Sequence, residues 1–266
     1  MSVVDTFRGL HASGCFVMPN PWDEGSARLL AQLGFHALAT TSSGFAWSKG
    51  RPDNGVTLES ALVHFMLMAE SVALPINADF EGGFATGPDG VAANVARAVT
   101  TGIAGLSIED STGDPSSPLF DFQLAVDRIR GARQAIDDSG TRVLLTGRSE
   151  GFIVGRPDLS ETIRRLLAYA DAGAECLFAP GIRSRDDIAA VVSAVAPRPV
   201  NVLVGADFTT VQDLAALGVR RISVGGALAR VAGSAFLEAA REIAEHGTFS
   251  GLARAVSFAD FNRLFT

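Results

Sequence analysis

Pro75-Ile-Asn-Ala-Asp-Phe-Glu-Gly-Gly-Phe84 is a short apolar run that closes on two carboxylates, Asp79 and Glu81, followed by a glycine pair. Side chains at i and i+2 of a strand point the same way, so the run predicts a strand presenting both acids on one face of its tip. Hard oxygen donors placed so suit a divalent cation. The glycines let the backbone turn away tightly and leave the tip open to a ligand.

Seven more runs of this kind lie on either side, at 15–18, 36–41, 103–109, 143–148, 174–179, 200–204 and 221–224, with 74–79 making eight. Several are apolar throughout, as parallel strands covered on both faces are. Helical spacing fills the intervals. Leu58, Ala61, Leu62, Phe65, Ala69 and Val72 share one face behind a Thr57 start signal, and 23–33, 121–136, 159–172, 186–195, 209–217 and 227–246 read similarly. The alternation predicts an α/β fold, a (β/α)8 TIM barrel, as a single domain over 1–266. An open doubly wound sheet is the rival, but it would carry a glycine-rich phosphate loop after its first strand, where this chain has Pro19-Asn-Pro-Trp22.

In such a barrel, chemistry sits where strands end. That face collects Asn20, Trp22, Thr41, Ser42, Ser43, Gly44, Asp79, Glu81, Glu109, Asp110, Arg148, Glu150 and Asn201. Two loops exceed mere connection, 43–56 with Asp53 and 111–120 directly after Glu109-Asp110, and long loops over a barrel mouth read as lids. The segment 247–266 carries Phe249, Leu252, Val256, Phe258, Phe261, Leu264 and Phe265, too much apolar surface for water. It is expected to be a helical extension packed on a neighbouring subunit.

The formal net charge of −7 excludes a nucleic-acid surface, and 47% hydrophobic residues suit a large core. No apolar run reaches membrane-spanning length, and no leader pattern is present, so no membrane partner is expected and cytoplasm is the default compartment. Cys15 and Cys176 lie in apolar runs and are expected to be reduced. None of the four histidines reads as a catalyst: His64 falls on the polar side of its helix and His246 sits at a helix end. Tyr169, the sole tyrosine, reads as helix surface or interface.

Ala-Asp-Phe-Glu-Gly-Gly-Phe at 78–84, Ser-Ile-Glu-Asp at 107–110, Gly-Arg-Ser-Glu at 147–150 and Gly-Val-Arg-Arg-Ile-Ser-Val-Gly-Gly at 218–226 together resemble the isocitrate lyase/phosphoenolpyruvate mutase superfamily. The resemblance implies a Mg2+-dependent barrel, with Mn2+ as a substitute, that makes or breaks a C–C or P–C bond beside a 2-oxo or 2-hydroxy carboxylate through a pyruvate-like enolate. It also implies a homo-oligomer, tetramer or dimer, in which the last barrel helix is swapped between subunits. By position, Asp79 is similar to the direct metal ligand, with Glu81 and Glu109 on its water shell. Arg148 is similar to the arginine that takes the substrate carboxylate or enolate oxygen. The Ser43-Gly44-Phe45 turn resembles the loop whose N–H groups bind that oxyanion, and Asp53 the loop aspartate near the substrate. Trp22 and Asn201 join them as substrate-binding candidates. One departure stands out: lyases of the superfamily carry a Cys and a His in the mobile loop, whereas 111–120 has no Cys, His or Lys. Pro180 stands where phosphonate-processing members have a histidine.

Each reading has a plain counterpart. Asp79, Glu81 and Glu109 would also make an ordinary salt-bridged cluster, Arg148 a partner for Glu150 or Glu109, and Pro-Asp-Asn-Gly at 52–55 a simple turn. The leading expectation is a carbon–carbon lyase acting on a small anionic carboxylate, with decarboxylation of an oxaloacetate-like acid the most economical form. The alternatives are a phosphonopyruvate-type mutase or hydrolase, and a barrel that binds a carboxylate without turnover.

Overall fold

The computed structural model describes residues 2–265. Met1 and Thr266, the last residue of the expected extension, lie outside the described residues. Eight strands, β1 (Phe16–Met18), β2 (Leu38–Ala39), β3 (Ile76–Asp79), β4 (Gly105–Glu109), β5 (Leu144–Arg148), β6 (Cys176–Phe178), β7 (Val200–Leu203) and β8 (Arg221–Ser223), run parallel in the order β1-β8-β7-β6-β5-β4-β3-β2. β1 and β2 close the ring without a ladder. The Ala39 N–H donates to the Pro19 carbonyl at 3.1 Å. Asn20 completes the latch, its Nδ2 donating to the Thr40 carbonyl and its Oδ1 accepting from the Val224 and Gly225 N–H groups, all at 2.9 Å. The chain is a (β/α)8 barrel.

Eleven α-helices accompany the strands among the described residues: α1 (Val3–Ala12), α2 (Glu24–Gln32), α3 (Ser42–Ser48), α4 (Leu58–Ser71), α5 (Pro88–Ala98), α6 (Phe122–Ser139), α7 (Leu159–Asp171), α8 (Arg185–Val195), α9 (Val211–Ala216), α10 (Ala227–His246) and α11 (Phe258–Arg263). Their starts follow local chemistry. Asp23, Thr57, Asp158 and Ser184 each cap an N-terminus by accepting a backbone N–H three residues on. Phe65, Met68, Phe80, Leu106, Ile108, Ile129 and Leu166 fill the layer between strands and helices. Helix α1 stops the lower end of the barrel, with Phe7 fully buried beside Phe16, Met18 and Leu144.

Four expectations need correction. The 43–56 segment is not loop throughout but opens with α3, because the Thr41 hydroxyl caps it. His64 is buried, its ring stacked on Phe45 with centroids 3.9 Å apart, because α3 covers the face of α4 that periodicity assigned to solvent. Tyr169 is fully buried, because the Asp110 carboxylate accepts its hydroxyl at 2.6 Å and removes the cost of hiding it. Strand β3 ends at Asp79, and Glu81 reaches the mouth through a turn rather than the pleat, with φ at +48°.

Candidate active site

Asp79, Glu109 and Arg148 are the last residues of β3, β4 and β5, and the last two are paired in register. Inward-facing positions at three neighbouring strand ends thus converge on one point. Arg148 is its hub: Nη1 lies 3.1 Å from Glu109 Oε2 and 3.3 Å from Asp79 Oδ1, while Nε donates to Glu150. The second Asp79 oxygen accepts the Ser42 N–H at 3.0 Å and the Ser42 hydroxyl at 2.9 Å. Helix α3 therefore meets β3 through its first residue.

Charge in this cluster is unbalanced. Asp79, Glu81, Glu109 and Glu150 surround one guanidinium. Burial, then the charges of Asp79 and Asp53, push the Glu81 carboxyl up to about 8. Burial likewise raises Glu109 and Glu150, against the pull of Arg148. Burial disfavours the Arg148 charge, but Glu109, Glu150 and Asp79 outweigh it and hold Arg148 protonated. Glu81 Oε1 is buried without a hydrogen-bond partner, on a residue in left-handed conformation that costs on the order of 1–3 kcal/mol. An orphaned carboxylate oxygen beside crowded acids is what a hard cation relieves, so these residues fit a divalent metal ion. Among the described residues no three Asp, Glu, His or Cys side chains are placed to hold an ion directly. Both Asp79 oxygens already have partners, Oδ1 in Arg148 and Oδ2 in Ser42.

Beside the cluster a cavity of about 160 Å3 descends into the barrel, lined by Asp79, Arg148, Ser42, Ser43, Asp53 and Asn201 among others. It is well below the ~300–1,000 Å3 of drug-sized pockets, so it selects small ligands. Asp53 stands on the exposed rim, its carboxyl raised by lost hydration and by Asp79. Asn201 is buried at the floor, where Oδ1 accepts from Arg221 and Nδ2 donates to Ser223. Gly44, Phe45 and Trp22 stand behind the lining. The Gly44 N–H goes to the Thr41 hydroxyl and the Phe45 N–H to the Thr41 carbonyl. Gly44 serves close packing: a Cβ there would come within 2.7 Å of Thr41 Cγ2 and 3.0 Å of Trp22 Cβ.

Sequence reasoning assigned no task to Ser42 or to the support beneath Glu150. Asp110, buried on β4's extension, accepts the Glu150 N–H at 2.7 Å, the Tyr169 hydroxyl at 2.6 Å and Arg165 Nη1 at 3.2 Å. Arg165 also donates to the Phe120 carbonyl, so one network fixes both Glu150 and the end of the 111–120 loop. Arg128, fully buried, donates to the Glu109, Gly82 and Ala85 carbonyls and braces the β3 and β4 ends together.

This fold and constellation agree with comparison to known proteins. The chain belongs to the phosphoenolpyruvate phosphomutase family, whose model matches residues 7–244. It is similar to an oxaloacetate decarboxylase of Rhodopseudomonas palustris strain BisB5, 31% identical over 261 residues covering 92% of this chain and 87% of that one. It is also similar to 2-methylisocitrate lyase of Escherichia coli K12, 34% identical over 163 residues covering 58% and 54%. A crystal structure from Burkholderia cenocepacia J2315 superimposes with a TM-score of 0.95 at 47% identity, covering 99% of this chain and 95% of that one.

Proposed function

We propose that this protein is a Mg2+-dependent lyase that cleaves a C–C bond of a small 2-oxo or 2-hydroxy carboxylate through a pyruvate-like enolate, with an oxaloacetate-type acid as substrate and CO2 as leaving group. The observation that carries the proposal is Arg148 ringed by Asp79, Glu109 and Glu150 at the mouth of a 160 Å3 cavity. Arg148 keeps Nη2, the guanidinium nitrogen with no partner among the described residues, for the substrate carboxylate, while Nη1 and Nε are held by Asp79, Glu109 and Glu150. These carboxylates hold the guanidinium in one orientation before substrate arrives, so little reorganisation accompanies the reaction. Ser43 lines the same cavity, and its backbone N–H, which has no partner among the described residues, would serve as a donor to developing negative charge. Asp79, Glu81 and Glu109 would hold Mg2+, which when bound would supply positive charge to stabilise the enolate. Loss of CO2 from C4 leaves its electron pair in the enolate, and C3 then takes a proton from water. Such a leaving group needs no acid, in keeping with a 111–120 loop that has no Cys, His or Lys.

Oxalate, a planar mimic of the enolate, tests this by isothermal titration. Binding is expected with Mg2+, and is expected to vanish after chelation and in Asp79→Ala. Equal binding with and without Mg2+ would contradict the metal assignment.

A further inference from the structure

Barrel interiors are usually packed with branched apolar side chains. Below the acidic cluster this one is polar: Asn77, Ser107, Thr146, Asn201, Arg221 and Ser223 are all at most 6% exposed. Arg221 is the outlier among them. It is 1% exposed, lines the cavity, and makes no ion pair with any carboxylate among the described residues. Its partners are neutral: Nε donates to Asn201 Oδ1 at 2.9 Å, Nη2 to Thr146 Oγ1 at 3.1 Å, and Nη1 faces His11 Nε2 at 3.3 Å. His11 Nδ1 is 2.8 Å from the Phe7 carbonyl, which only accepts, so the proton sits on Nδ1 and Nε2 receives from Arg221. Three of five guanidinium N–H groups are thus used and two remain. Buried Arg128, by contrast, is spent on three main-chain carbonyls. A fixed, buried, uncompensated cation costs several kcal/mol unless an anion joins it.

We infer that Arg221 is a second anion-binding residue and takes the distal carboxylate of a dicarboxylate substrate whose other end lies at Arg148. The inference rests on the enolate-site reading above. The spacing agrees: Arg221 bonds Thr146, two residues below Arg148 on β5, a drop of roughly 6.6 Å at about 3.3 Å per residue. Both arginines line the same cavity, so a ligand that touches both guanidinium groups has to be longer than oxalate.

Titration with oxalate, L-malate and L-lactate in Mg2+ separates the two claims. Wild type is expected to bind oxalate, and to bind malate at least tenfold tighter than lactate. Arg221→Gln should erase the malate preference and leave oxalate within about twofold, with Arg221→Lys between. Should neither variant fold, a crystal structure of the wild-type protein with malate decides, the distal carboxylate being expected within about 3 Å of the Arg221 guanidinium. Oxalate binding with no preference for malate over lactate, a preference that survives Arg221→Gln, or a distal carboxylate turned toward the mouth would overturn the inference alone. Failure of oxalate to bind wild type would overturn the site reading and this inference with it.

Discussion

Arg148 is the residue whose chemistry is most exposed to test. Three carboxylates on its fork fix its plane, and a lysine keeps the charge but presents only a point. Arg148→Lys is expected to lower kcat/KM about a hundredfold, equivalent to ~2.7 kcal/mol of transition-state stabilisation, with an unchanged circular dichroism spectrum. A change below threefold in steady-state kinetics would count against its role. The hub itself is legible in sequence, because Asp79, Glu109 and Arg148 each terminate an apolar run and the strand-end rule brings such residues together. What stands beneath it is not. Tyr169 and Asp110 are 59 positions apart, and neither periodicity nor motif announces that a buried hydroxyl will find a buried carboxylate. Arg221 is hidden for a related reason: inside a Val-Arg-Arg-Ile run, nothing marks one arginine as pointing into the barrel and its neighbour as pointing out.

At the scale of elements, α1 and α4 each bury a histidine. Burial, with the Arg221 charge, lowers His11 to about 3. Burial, with Lys49, lowers His64 to about 4. Unfolded, both rings take a proton near pH 6.5, so the unfolded chain binds more protons below that value and stability falls as pH drops. Between pH 7 and pH 5 each ring is expected to remove about 2 kcal/mol, the loss continuing toward the folded values. Urea midpoints across this interval check it: the change in stability from pH 7 to pH 5 should be about 2 kcal/mol more favourable in His64→Leu than in wild type, a difference in which Glu81, whose raised carboxyl acts in the opposite sense, cancels; an unaltered slope would refute the assignment. The stack of His64 on Phe45 was not legible, because a helix of two-sided burial has no polar face to read; α3 supplies the second cover from a segment whose serines and glycines read as loop.

For the whole molecule, α10 buries none of its twenty residues within this chain. Phe236 is 71% exposed and Phe258, on α11, 84%. Large apolar side chains exposed together in this way mark an interaction face, and a homo-oligomer that exchanges or packs these helices is the expected arrangement. Light scattering on the eluting peak should give a mass that is a multiple of 27.7 kDa, and Phe236→Asp with Phe258→Asp should shift it to one chain. A monomeric wild-type protein would contradict this. Among the described residues no helix is long and apolar enough to cross a membrane. The barrel order was readable because every unit repeats the same apolar-then-helical pattern, so that missing one helix start does not change the topology. Two-residue β2 and the Asn20 latch were not, since closure there uses a side chain in place of a ladder.

The most direct measurement follows oxaloacetate by proton NMR with Mg2+, with and without the protein. The expected result is pyruvate formed well above the rate with Mg2+ alone, abolished by chelation and reduced at least a hundredfold in Asp79→Ala. Pyruvate formation that is indifferent to chelation and to Asp79→Ala, or no product from oxaloacetate or any other small 2-oxo or 2-hydroxy diacid, would contradict a metal-assisted enolate site.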